Sequence, residues 1–265
     1  MKRDCLKSLW LLVYALVLFG AVESVAADAL NVNSAINKAG SQRMLSQRMA
    51  KAYCQVGLGV ETESSKHILD QSVTLFDKQL GELKAFAPTP EIKDTYAKLA
   101  QVWLSYKELL AGSKPNIENA RKIALVNEDV LKLAQQGTAQ FEKYSGSPGG
   151  KLINIAGRQR MLSQRMAKFN VFRAWGITSP QMLQDLDAAA KEFATAQDVL
   201  LAAPQNTPQI TRELQLAKTQ WFFFDDAIKQ TAGSRDDQLK NVATTSERIL
   251  QVMDGVTWMY EGIAK

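Results

Sequence analysis

Residues 36–51 read INKAGSQRMLSQRMAK and residues 153–168 read INIAGRQRMLSQRMAK, so a glycine, an arginine and a set of amides and hydroxyls recur at one spacing. Fourteen of the sixteen positions agree at an offset of 117, which marks an internal duplication. At about 100° per residue on a helix, Leu45, Met49, Ala52 and Val56 share one apolar face. Nearly opposite lie Ile36, Ala39, Gly40, Arg43, Gln47, Ala50, Cys54 and Gly57. The second copy of that stripe is Ile153, Ala156, Gly157, Arg160, Gln164, Ala167, Val171 and Ala174. Glycine inside a helix costs about 1 kcal/mol relative to alanine, so Gly40 and Gly157 need a packing or ligand reason. A stripe of small residues lets two helices approach closely. The economical arrangement packs the first helix of each copy on its equivalent, either within one chain by pseudo-twofold symmetry or between the chains of a homodimer.

That arrangement brings Arg43 towards Arg160, or either towards its symmetry copy. Two guanidinium groups about 6 Å apart repel by roughly 3 kcal/mol at an effective dielectric near 20. Partial burial adds a desolvation cost for each. The repeated stretch contains no Asp or Glu, so carboxylates from elsewhere or a bound anion must balance the pair. A planar oxyanion matches the arginine fork, and Gln47, Gln164, Ser46 and Ser163 are candidate further donors. The competing interpretation makes Arg43 and Arg48 surface residues paired with acidic side chains of another helix, the motif being kept for packing. Met44, Met49, Met161 and Met166 are core filler in preference to a thioether copper site.

The elements that must position these groups are helices. Apolar residues return at spacings of three and four, as in Leu69, Val73, Phe76, Leu80 and Leu83, and no segment alternates with period two. Gly and Pro punctuation predicts helices near 31–58, 62–86, 91–111 and 116–144, then 151–176, 180–202, 208–231 and 235–263. The repeat continues through them: Phe76 aligns with Phe193, Trp103 with Trp221 and Tyr106 with Phe224, and Asn127-Glu128 answers to Ser246-Glu247. The expected fold is all-α, two tandem antiparallel four-helix bundle repeats or one elongated double bundle. The repeats span residues 28–145 and 150–265, with Ser145 to Gly150 as a flexible linker. Trp103 and the run Trp221 to Phe224 are expected to serve core and inter-helix packing.

Lys2, Arg3 and Lys7, the apolar run Leu9 to Val22 and the small residues Val25 to Ala27 read as a secretion signal over residues 1–27, with an uncleaved membrane anchor as the alternative. Removing it lowers the formal charge from +5 to +4, an excess too mild and spread for a nucleic-acid binder but favourable to anions. The expected location is the periplasm. Cys54 is then the one cysteine left and is expected to be buried. His67 is expected on a helix surface, so neither supports a disulfide, a metal site or a triad. No nucleophile elbow, phosphate loop or paired carboxylates point to an enzyme, and no cofactor is implied.

The pattern Ile-Asn-x-Ala-Gly-x-x-Arg-Met-x-Ser-x-Arg resembles the P-box helix of NarX-type nitrate sensor kinases. It is also similar to the first helix of the PilJ-type domain, the type IV pili methyl-accepting chemotaxis transducer N-terminal domain. Both copies match, at Ile36-Asn37, Ala39-Gly40, Arg43-Met44, Ser46 and Arg48, and at Ile153-Asn154, Ala156-Gly157, Arg160-Met161, Ser163 and Arg165. The resemblance implies a ligand-sensing bundle in which first helices face one another. It makes Arg43 and Arg160 the anion clamp and lets Gly40 and Gly157 bring backbone close. The Leu-Arg-Met-Gln-Ser-Tyr-Arg of nitrate sensors is Gln-Arg-Met-Leu-Ser-Gln-Arg here. The expectation is therefore a periplasmic protein binding nitrate, nitrite or a similar oxyanion and acting through a membrane sensor or transducer partner. The alternative is a structural or assembly module, pilus or chemotaxis related, that uses the repeated helix for dimerisation.

Overall fold

The computed structural model describes residues 30–112, 114–230 and 232–264; the secretion signal expected over residues 1–27 lies outside them. Two sets of four helices follow one another. The first is α1 (Val32–Leu58), α2 (Thr62–Phe86), α3 (Pro90–Ala111) and α4 (Ile117–Ser145); the second is α5 (Pro148–Ala174), α6 (Pro180–Leu201), α7 (Pro208–Lys229) and α8 (Arg235–Ile263). The described residues contain no strand.

Local sequence sets these boundaries. The side chains of Asn31, Thr89, Asn116, Ser147, Ser179, Thr207 and Ser234 each accept a hydrogen bond from a first-turn N–H. Proline follows at the start of α3, α5, α6 and α7, where its missing N–H is harmless. Gly59 and Gly146 close α1 and α4 in the left-handed region, at φ 75° and 60°.

In each copy the first helix packs on the second and fourth, and the third packs mainly on the fourth. The aromatic core repeats with the chain. Phe76 stacks on Trp103 with centroids 4.1 Å apart and Phe193 stacks on Trp221 at 4.5 Å, while Tyr106 and Phe224 meet the indoles edge-on. Part of the aromatic run behaves differently from expectation. Phe222 and Phe223 are 69% and 53% exposed, because only every third or fourth position of α7 faces the bundle. Cys54 is buried and His67 exposed, as expected.

A further correction concerns the join between the copies. Ser145 to Gly150 is no flexible linker: α4 ends at Ser145, Gly146 turns, Ser147 caps, and α5 starts at Pro148. The repeated helices also lack the solvated side that an ordinary bundle helix keeps. α1 and α5 pack on each other more extensively than any other pair. Gln42, Arg43, Gln47 and Lys51, with Gln159, Arg160, Gln164 and Lys168, are all buried. These two helices form the shared centre of one double bundle.

Candidate functional site

The two copies meet at Gly40 and Gly157. A methyl group on Gly40 would lie 3.8 Å from the Gly157 Cα, and the reverse distance is also 3.8 Å, so the backbones touch there. The same added methyl would meet Arg43 Nη2 at 3.2 Å and Arg160 Nη2 at 3.4 Å; on Gly157 the distances are 3.5 and 3.2 Å. Both guanidinium groups therefore converge on one point of the crossing. The spacing Gly-x-x-Arg explains itself here: each arginine rises one turn beyond its glycine and reaches over the other helix. Arg43 Nη2 donates to the Asn154 carbonyl (3.3 Å), and Arg160 Nη2 donates to the Asn37 carbonyl (3.2 Å) and to Asn37 Oδ1 (2.8 Å).

The two arginines differ in what balances them. Arg160 donates through Nη1 to Asp254, an ion pair whose carboxylate side is well exposed. Arg43 Nη1 instead donates to Gln135 Oε1 at 2.6 Å. Gln135 and Asp254 occupy matching places on α4 and α8, 119 residues apart, so the duplicated site holds one carboxylate where strict symmetry would place two. Gln135 also accepts from Arg158, at 2.8 Å. Burial, then the charges of Arg158 and Arg160, hold the Arg43 guanidinium down at about 9. The Nε–H groups of Arg43 and Arg160 are buried without a partner among the described residues, an expense that a native interior seldom tolerates without a use.

The remaining predicted residues sit one turn further along. Ser46 Oγ and Ser163 Oγ donate back to the carbonyls of Arg43 and Arg160, so their protons are directed into their own helices. Gln47 donates to Ser46 Oγ and Gln164 donates to the Ser246 carbonyl, leaving Gln47 Oε1 and Gln164 Oε1 buried and unpartnered. The structure brings the two arginines and two glycines together. It places the amides beside that group and aims the hydroxyls elsewhere.

The competing interpretation of the arginines applies to Arg48 and Arg165. Arg48 and Lys51 of α1 reach across to Glu247 of the other copy, Lys51 Nζ at 2.6 Å from Oε1. Reciprocally, Arg165 and Lys168 of α5 meet Glu128 of the first copy at 2.7 and 2.8 Å. Asp185 adds a second carboxylate to Arg165, whereas the equivalent of Asp185 in the first copy is Ile68. Burial favours protonated Glu247, but Lys51 and Arg48 outweigh it and hold the carboxyl at about 2. Burial pulls Lys168 down to about 8 against the pull of Glu128. Lys51 and Lys168 were missed in sequence reasoning, although both close the repeated stretch and match the pair Asn127-Glu128 and Ser246-Glu247.

Because α1 and α5 face each other inside one chain, neither repeated helix presents this seam for joining two chains. Fold and site together define an all-helical, duplicated bundle with a charged centre. The chain belongs to the family of type IV pili methyl-accepting chemotaxis transducer N-terminal domains (PilJ), which matches residues 25–141 and again residues 145–251. No curated protein and no solved structure matches the chain significantly. No helix among the described residues is long and apolar enough to cross a membrane.

Proposed function

We propose that this protein senses a small planar oxyanion of the nitrate or nitrite kind in the periplasm and passes the bound state to a membrane transducer. The family supports a sensing and signalling role. One observation carries the ligand class: Arg43 and Arg160 are buried around a single glycine crossing, and among the described residues only Arg160 has a carboxylate, Asp254, in direct contact. An anion between the guanidinium groups would neutralise that surplus and accept from the unpartnered Nε–H groups. Gly40 and Gly157 supply the room, since any side chain there would crowd both arginines. The ligand would also touch both copies at once, so its binding free energy bears on how α1 and α5 sit together, the differential contact a signal requires. The backbone carbonyls of Asn37 and Asn154 each accept from one guanidinium group and fix its direction.

The test is calorimetry of the chain with nitrate, nitrite and chloride, against Arg43→Ala and Arg160→Ala. Nitrate or nitrite should bind more tightly than chloride, and either substitution should weaken binding at least tenfold, the effect of losing one charged hydrogen bond of about 1.5–3 kcal/mol. Heats absent for every oxyanion, or a double variant that binds like the parent, would remove the proposal.

A further inference from the structure

Duplication supplies an internal control for every surface of this protein. At the end of the seam lined by the cross-copy ion pairs, each copy has a cleft between its first two helices and the fourth helix of the other copy. The cleft of α1, α2 and α8 has a volume of about 480 Å³ and is lined by Gln55, Glu61, Ser65, Thr244 and Arg248 around Lys51 and Glu247. The cleft of α5, α6 and α4 has a volume of about 610 Å³. Its corresponding residues are Phe172 for Gln55, Thr178 for Glu61, Met182 for Ser65 and Leu125 for Thr244. The loops match as well, with Gly59 and Gly176 both at positive φ.

The polar cleft shows that this fold does not need apolar side chains at those positions. Shielding the buried lysine does not require them either: Lys51 is as buried beside Gln55 as Lys168 is beside Phe169 and Phe172. Yet the second cleft carries Phe172, Met182 and Leu125 where its twin carries Gln55, Ser65 and Thr244, and Leu125 at its edge is 75% exposed. The volume falls in the range of small-molecule sites, which are mostly apolar with a few polar groups that orient the ligand. Glu128 and Asp185, the two carboxylates of the lining, are engaged by Arg165 and Lys168. Arg121, one turn before Leu125 on α4, is exposed in the lining and makes no ion pair among the described residues.

The geometry points to a second binding site in this cleft, for a small organic acid with an apolar, ring-sized body lying against Phe172, Met182 and Leu125 and its carboxylate at Arg121. The site is separate from the arginine pair at the glycine crossing and does not depend on it.

Phenylacetate, phenylacetamide and acetate are the probes, titrated into the full chain by calorimetry. Phenylacetate should bind about tenfold or more tightly than acetate, since a buried ring supplies most of the affinity, and several-fold more tightly than the neutral amide. Leu125→Thr, Phe172→Gln and Met182→Ser install the residues of the polar twin; together they should abolish phenylacetate binding. Leu125→Thr alone, at an exposed position, should weaken it, and Arg121→Ala should erase the preference for acid over amide. Arg43→Ala should leave phenylacetate binding unchanged. Equal affinity for acetate and phenylacetate, no binding of phenylacetate by the folded parent, or undiminished binding by Leu125→Thr and Arg121→Ala overturns the assignment.

Discussion

Replacing Arg43 by methionine should make the ligand-free protein more stable. The guanidinium is wholly buried, its pKa is held at about 9, and no carboxylate among the described residues contacts it. At about 1.4 kcal/mol per pKa unit, the interior disfavours its charge by roughly 5 kcal/mol. Against this stand its hydrogen bonds to Gln135 and to the Asn154 carbonyl, about 2 kcal/mol each for a charged donor. Both acceptors keep other partners, Gln135 through Arg158 and the carbonyl through its own helix. Methionine is flexible enough to fill the space. The balance is a gain of about 1 kcal/mol, in line with buried charges replaced by apolar residues elsewhere. That corresponds to a rise of roughly 2–4 °C in Tm at this chain size. Urea and thermal unfolding followed by circular dichroism, without added oxyanion, measure it directly. The same melts with saturating nitrate should then raise the parent and leave the variant unmoved. If Arg43→Met instead lowers the ligand-free midpoint by several degrees, the buried charge is a structural tie between the helices and the reasoning fails.

Four other outcomes follow from the same structure. Gln135→Glu gives Arg43 the carboxylate that Asp254 gives Arg160; it should stabilise the ligand-free chain by about 1 kcal/mol and weaken oxyanion binding about tenfold by calorimetry. Glu247 is held at about 2 by Lys51 and Arg48. The stability it contributes is therefore complete above the ordinary carboxylate pKa and lost as pH falls towards 2, by roughly 3 kcal/mol. Urea unfolding between pH 5 and 2 should show that slope, and Glu247→Gln should flatten it. Lys168 gives a slope of the same sign in a higher window: folded, it releases its proton near 8, where the unfolded chain keeps it, so stability should rise with pH from about 8 towards 10. Lys168→Met should remove that rise. Gly57→Ala would place a methyl 2.1 Å from the Trp175 ring; expect a loss of about 1–3 kcal/mol and a changed near-ultraviolet signal from the displaced indole.

What could be read from residues alone divides along physical lines. Helix boundaries were legible because caps and prolines act locally: Thr89-Pro90, Ser179-Pro180 and Thr207-Pro208 each mark the start of a helix. The juxtaposition of Gly40 with Gly157 was legible because the duplicated stripe has small residues at helical spacing and little else to pack. Two matters depended on distant elements. Nothing near Arg43 or Arg160 in sequence identifies Gln135 or Asp254 as their counterparts; that needs the register of α4 and α8 against the seam. Lys51 and Lys168 went unnoticed, because a helical projection leaves charged residues to one wet face, and α1 and α5 have almost none. Phe222 and Phe223 failed for the reverse reason, since apolar type was taken as burial without asking which face of α7 each occupies.

The placement of α1 against α5 in one polypeptide has a thermodynamic consequence. A receptor whose recognition surface assembles from two separate molecules loses that surface on dilution, and its apparent affinity then depends on how much receptor is present. Here the facing helices are tethered through α2 to α4 and the two-residue turn at Gly146-Ser147, so the effective local concentration of one for the other never falls. Titration curves should superimpose at nanomolar and micromolar protein alike. Tethering also frees the halves to evolve apart, which identical subunits cannot do, and the exchange of Asp254 for Gln135 is one trace of that freedom.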